Sequence, residues 1–215
     1  MELVSYIDHT LLKAEAKAED IVRLCEEAAE HHFAAVCVNP CYVALAAHLL
    51  QGTGVKIATV VGFPLGSTPS AVKAYETRTA VADKADEIDM VMSIGAAKSG
   101  QWQAVIDDIK EVVAAADGKI VKVIIETGLL TEEEKRQACR AILAAGAHYV
   151  KTSTGFGPGG ATVADIRLFK EEVGDRTGIK ASGGVRTREQ AEALIAAGAT
   201  RIGTSAGVIL SGLHK

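Results

Sequence analysis

The chain has 215 residues, 48% of them hydrophobic and 23% charged, with 21 glycines and only 4% aromatic residues. This is the composition of a compact domain with many tight turns and an aliphatic core, not of a disordered chain. A formal charge of −4 argues against a nucleic-acid or anionic-membrane surface, since both need a basic face.

In chain order, apolar runs bounded by Gly, Pro or Asn alternate with longer Ala-rich stretches of helical periodicity. The pattern predicts strands at 6–8, 34–38, 56–61, 87–91, 120–126, 149–152, 179–182 and 201–203. Helices are predicted at 19–31, 42–50, 70–84, 101–116, 131–145, 162–173 and 187–196, with a short last one after Ser205. Residues 33–55 carry no Asp, Glu, Lys or Arg, but Asn39-Pro40 interrupts them and His48, Gln51, Gly52 and Gly54 follow. They read as a buried strand, a break and a helix, not as a membrane span. The opening MELVSYIDHT lacks the basic region and apolar core of a secretory signal, so a cytoplasmic location is expected.

Strands that alternate with helices of this length pair in parallel through helical crossovers. Eight units predict closure into a single-domain (β/α)8 TIM barrel, class α/β, spanning 1–215. An open doubly wound sheet is the alternative, weakened by the lack of GxGxxG after the first strand. AAGAHYVKTS at 144–153 echoes AAGATRIGTS at 196–205, an offset of two βα units. Cys25, Cys37, Cys41 and Cys139 do not form a secreted disulfide framework and are expected to be reduced. With no HExxH or paired ligand spacing, no structural or catalytic metal is expected.

Barrel chemistry sits at the C-terminal ends of the strands, on inward side chains and the loops that follow. Alternation turns Asp89 of EIDMV toward the axis and its neighbours Ile88 and Met90 toward the helices. It places Lys122, Ile124 and Glu126 on one face of KVIIETG, and Lys151 and Lys180 inside the next two strands. Two lysines on adjacent strands oppose each other's protonation. At ~4 Å and an effective dielectric of ~20 the repulsion is roughly 4 kcal/mol, or about three pKa units, enough to bring one amine from ~10.4 to near ~7. A neutral amine attacks a carbonyl to give a Schiff base, and Asp89 is the nearest predicted carboxylate for proton relay. Electrostatics alone does not choose which lysine attacks. Asp8 is expected to help hold the lysines, and Glu126 to pair with Lys122 or else to compete with Asp89 for the relay. Gly183 and Gly184 after the seventh strand, and Gly203, Thr204 and Ser205 after the eighth, are placed to cradle a phosphate with backbone N–H groups and a short helix.

IDHTLL at 7–12, VCVNP at 36–40, VVGFPLG at 60–66, EIDMV at 87–91, KVIIETG at 122–128, VKTSTGF at 150–156, IKASGGVR at 179–186 and RIGTSAG at 201–207 together resemble the deoxyribose-phosphate aldolases, a class I aldolase family of the (β/α)8 fold. The resemblance covers essentially the whole chain. It implies reversible cleavage of 2-deoxy-D-ribose 5-phosphate to D-glyceraldehyde 3-phosphate and acetaldehyde without a cofactor. It also implies that Lys151 forms the Schiff base, Lys180 perturbs its pKa and Asp89 serves the proton relay, while Thr154 and Gly155 join the substrate-binding set. A homodimer or homotetramer is expected. The chain departs from the family at Ser93, where Asn is usual, and at Ala206, where a serine is usual. Ala206 is expected to weaken phosphate binding while leaving its backbone N–H. The ending LSGLHK lacks the tail tyrosine of many relatives. A sugar-phosphate isomerase or cyclase on the same barrel would use carboxylates in place of an amine, and a non-catalytic phosphate-ligand sensor would not need the lysines.

Overall fold

The computed structural model describes residues 3–212. Eight parallel strands close into a barrel in chain order, with β8 returning to pair with β1. They are β1 Ile7–Leu11, β2 Ala35–Val38, β3 Lys56–Val61, β4 Glu87–Val91, β5 Ile120–Ile124, β6 Tyr149–Lys151, β7 Gly178–Ser182 and β8 Arg201–Thr204. The helices are α1 Ala18–Glu30, α2 Val43–Leu49, α3 Ser70–Ala82, α4 Ile94–Lys98, α5 Trp102–Ala115, α6 Glu132–Ala145, α7 Val163–Val173, α8 Arg188–Ala197 and α9 Gly207–Ser211. Among the described residues no helix is long and apolar enough to cross a membrane. All four cysteines are free thiols.

Alternation along the strands divides the core in two. Ile88, Met90, Val121, Val123 and Ile202 face outward and pack with helix residues such as Ile109, Ile142 and Phe169. Inside the barrel a smaller apolar group gathers Leu12, Cys37, Ala58 and Val60, with Phe63 against it. Apart from these and the buried Val91 and Ile124, the axis is largely charged or polar, so the apolar stability of the fold resides mainly in the strand–helix layer.

The predicted elements recur with small shifts at their ends. Two differences affect the site. The segment between β4 and β5 carries an extra helix, α4, which the Gly-containing stretch IGAAK concealed. The fifth strand ends at Ile124, because Glu126 adopts the left-handed conformation at φ 56° and breaks the alternation. Thr131 caps α6 as its TEEE pattern predicts, accepting from the Glu134 backbone N–H while the Glu134 carboxylate accepts from that of Thr131.

A buried ion pair clamps the end of β4. Lys73 on α3, fully buried, donates to Asp108 Oδ2 on α5 at 2.6 Å and to the Val91 carbonyl at 2.9 Å. Asp108 also accepts from Ser70 Oγ at 2.8 Å and from the Ser93 backbone N–H at 3.2 Å. Five groups therefore converge just beyond the strand that carries Asp89, and Ser93 enters through its backbone. Asp108→Ala leaves the Lys73 charge buried with one carbonyl for company and should destabilise the protein by about 3–5 kcal/mol. A urea unfolding midpoint unchanged from wild type would contradict this role.

Candidate active site

The charged side chains on the barrel axis come from six strands, and three lysines among them meet at Asp89. Lys151 Nζ and Lys180 Nζ each lie 2.7 Å from Asp89 Oδ2, and Lys122 Nζ lies 2.7 Å from Oδ1. Asp8 on β1 joins them, as expected: it pairs with Lys180, lies 3.6 Å from Lys122 and accepts from Arg201 at 2.7 Å. Glu87 completes the group at 2.6 Å from Lys122 and 3.3 Å from Arg201. Sequence reasoning missed Glu87 and Arg201. The signal for Glu87 was present, since it stands two residues before Asp89 and so shares its face.

The three lysines are not equivalent. Burial pushes the Lys151 amine below its ordinary value, with Lys180 reinforcing and Asp89 opposing the shift. Burial acts the same way on Lys180, but Asp8 and Asp89 outweigh it and the amine is raised. Lys122 is also raised, because Asp89, Asp8 and Glu87 together overcome burial and the nearby Lys180. Desolvation, then, is the leading cause at Lys151, and lysine–lysine repulsion, the sequence-based argument, is a contributor. For Asp89, burial alone would raise the carboxyl, but Lys122, Lys151 and Lys180 hold it well below its usual range. Cys37, buried close to the same charges, is kept a neutral thiol chiefly by burial.

A cavity of about 400 Å³ opens above this cluster at the ends of β1, β6, β7 and β8. Lys151 lines it, as do Thr154, Gly155, Gly183, Gly184, Gly203, Thr204 and Ser205. Asp89 and Lys180 lie beneath it, wholly buried. An open cleft of about 650 Å³ beside Tyr149, Lys170 and Arg176 includes none of the inward lysines. Lys13 and Arg186 also line the mouth cavity and add cationic groups that sequence reasoning passed over. Arg186 follows directly on the Gly183-Gly184-Val185 turn, which was the available signal.

Two hydroxyls and one N–H predicted to reach a ligand are already committed. Thr204 Oγ1 donates to the Val185 carbonyl at 2.7 Å and accepts from the Ala206 backbone N–H at 2.9 Å. Ala206 therefore does not offer the free N–H expected of it, and α9 is only five residues long. Thr154 Oγ1 donates to Glu126 and accepts from the Phe156 N–H at 3.0 Å. Glu126 thus pins the turn after Lys151 and does not pair with Lys122, because the left-handed backbone turns it away from the axis. The consecutive glycines 183 and 184 have φ of 89° and 76°, a conformation that L side chains resist. Gly203 answers a different need: a Cβ there would lie 3.0 Å from Lys180 Cε, so it makes room for the lysine. Cross-strand bonds fix the tips of β6 and β7, with Thr152 Oγ1 donating to the Ser182 carbonyl at 2.8 Å and Ser182 Oγ to that of Ser153 at 2.6 Å. Residues 213–215, in the tail where a tyrosine was sought, lie outside the described residues.

The sequence model of the DeoC/LacD family of aldolases matches residues 3–213. A deoxyribose-phosphate aldolase of Streptococcus equi subsp. zooepidemicus is 57% identical over 210 residues, covering 98% of this chain and 96% of its own. Among solved structures, QR15, an aldolase, superposes with a TM-score of 0.95 at 40% identity, over 99% of this chain and 95% of its own. A tetrameric deoxyribose phosphate aldolase from Aeropyrum pernix gives 0.91 at 34% identity, over 98% and 89%.

Folding holds Asp8 and Asp89 below the ordinary carboxylate value of 3.8, so the stability they contribute is present above that pH and is lost as pH falls beneath it. Asp8→Asn should be about 3–5 kcal/mol less stable than wild type at pH 7, where Lys180 and Arg201 lose their partner. The gap should narrow steadily as the pH falls below 3.8. Urea titrations at several pH values that show a constant gap would contradict this assignment.

Proposed function

The chain belongs to the DeoC/LacD family of aldolases, and from that premise we propose that it cleaves 2-deoxy-D-ribose 5-phosphate reversibly to D-glyceraldehyde 3-phosphate and acetaldehyde, with Lys151 as the Schiff-base amine. The carrying observation is that Lys151, alone of the three axial lysines, lines the mouth cavity and has its amine pushed down by burial.

Lys151 Nζ attacks the C1 aldehyde of the open-chain sugar, and loss of water from the carbinolamine leaves a protonated imine. Removal of the C3 hydroxyl proton breaks the C2–C3 bond, and its electron pair enters the imine to give an enamine. Glyceraldehyde 3-phosphate departs. Protonation of the enamine at C2 and hydrolysis of the imine then release acetaldehyde and restore the amine. Asp89, held ionised 2.7 Å from Lys151 Nζ, serves the proton transfers, and Lys180 holds Asp89 in place and adds positive charge.

The remaining surfaces support this substrate. Leu12 links the cavity to the apolar group of Cys37, Ala58, Val60 and Phe63, which offers no partner to a hydroxyl at C2. Backbone groups of Gly183, Gly184, Gly203, Thr204 and Ser205, with Gly155, Lys13 and Arg186, face the other side of the cavity and suit the phosphate. Thr154 acts through its turn, since its hydroxyl is committed to Glu126. An isomerase reading would need carboxylates at the mouth, whereas Asp8, Glu87 and Asp89 are buried and ion-paired. A homo-oligomeric state belongs to the same reading, supported by the tetrameric relative, as does a cytoplasmic location.

Incubation with the sugar phosphate and borohydride, followed by peptide mass spectrometry, should place a substrate-dependent adduct on Lys151. Lys151→Ala should bind substrate but lose cleavage, and Asp89→Asn should lower kcat by roughly 10²–10⁴-fold. An adduct on Lys180 or Lys122 would overturn the assigned roles.

A further inference from the structure

Arg201 opens β8 at the end of the barrel away from the mouth and lies outside the lining of the cavity. Its guanidinium donates to Asp8 Oδ1 at 2.7 Å, lies 3.3 Å from both oxygens of Glu87 and sits 5.9 Å from the centre of the Tyr149 ring. The same two carboxylates hold Lys180 and Lys122, and those lysines hold Asp89. An unbroken line of ion pairs therefore runs from Arg201 to Asp89 Oδ2, where Lys151 is attached.

Among the described residues this network contains four cationic side chains, Lys122, Lys151, Lys180 and Arg201, against three carboxylates, Asp8, Glu87 and Asp89. The three lysines and three carboxylates are at most 3% exposed and the Arg201 side chain 13%; an interior this dry disfavours an unbalanced charge, and the count therefore favours one neutral cation. The contacts select which one. Lys122 reaches Asp89, Glu87 and Asp8, Lys180 reaches Asp8 and Asp89, and Arg201 reaches Asp8 and Glu87, while Lys151 touches only the already shared Asp89. Guanidinium does not give up its proton in proteins.

We propose that Arg201 is a positioning residue for the cleavage reaction: as the fourth cation against three carboxylates, it displaces the proton from Lys151 and keeps the nucleophile neutral. The inference rests on Lys151 being the Schiff-base amine. The charged and titratable groups set around Lys151 are Asp8 from β1, Cys37 from β2, Glu87 and Asp89 from β4, Lys122 from β5, Tyr149 from its own strand, Lys180 from β7 and Arg201 from β8, with Lys13 and Arg186 across the mouth cavity. The inward residues of β3, Ala58 and Val60, carry no charge. Glu126 is turned to Thr154.

The test is the pH profile of kcat/KM for cleavage of 2-deoxyribose 5-phosphate, with borohydride trapping on the same preparations. A unit charge roughly 10 Å away, through an effective dielectric of about 20, moves a titration by about one pH unit. Arg201→Met should raise the acid limb by about that much, and Glu87→Gln should lower it by a similar amount. The double variant should return it to the wild-type position, and Arg201→Lys should leave it there. Loss of structural support alone would reduce kcat without moving the limb in opposite directions. If Arg201→Met does not fold, the double variant must still titrate about one unit above Glu87→Gln, and coincidence of the two overturns the proposal. A Lys151 adduct with an unmoved limb in Arg201→Met defeats this inference alone. Absence of the adduct in wild type defeats the Schiff-base reading on which it rests.

Discussion

One carboxylate shared by three amines sets the terms for this molecule. Asp89 lies wholly inside the barrel with Lys122, Lys151 and Lys180 each 2.7 Å from it. An isolated carboxylate or ammonium in such a place would be strongly destabilising, and only dense mutual pairing makes the arrangement tolerable. Asp8, Glu87 and Arg201 supply that pairing from the lower part of the axis. The network is consequently weak evidence of stability and strong evidence of use, because an aliphatic barrel interior would hold the fold at least as well.

The closed barrel is what makes the cluster possible. Each strand contributes one or two inward positions, so charges distant in sequence, such as Asp8 and Arg201, become neighbours only when β8 pairs with β1. The outer layer of Ile, Val, Ala and Met against the helices carries the hydrophobic stability and leaves the axis free to hold charge. The clamp of Lys73, Asp108 and the chain around Val91 and Ser93 ties the end of β4 to two helices. Thr152 and Ser182 tie the strand carrying Lys151 to the one carrying Lys180. Small displacements of these amines would change their mutual energies greatly, since Coulomb terms rise steeply at short range in a dry interior.

Much of this was legible in the chain. Period-two alternation placed Asp89, Lys122, Lys151 and Lys180 inside the barrel, and the eight strand–helix pairs gave the closure. What failed to show depended on partners brought by the fold. Glu126 left its expected face because its backbone enters the left-handed region, a conformation usually taken by glycine, whereas the glycine of this turn stands two residues later at 128. Thr154, Thr204 and Ala206 looked available to a ligand, yet the turn geometry ties their hydrogen-bonding groups to Glu126, the Val185 carbonyl and Thr204 itself. Gly203 read as part of a phosphate cradle, but its missing side chain also accommodates the Lys180 stem. Spacing left open which lysine attacks, and the proposed choice of Lys151 rests on that amine reaching fewer carboxylates than the other two.

The most direct measurement is a titration of the individual lysine side chains by NMR in protein carrying isotope-labelled lysine, with resonances assigned through single Lys→Arg variants. The account predicts that the Lys151 amine loses its proton below the ordinary lysine range and before Lys122 and Lys180 do. A Lys151 amine that remains protonated as long as the other two, or a Lys180 amine that titrates first, would contradict it.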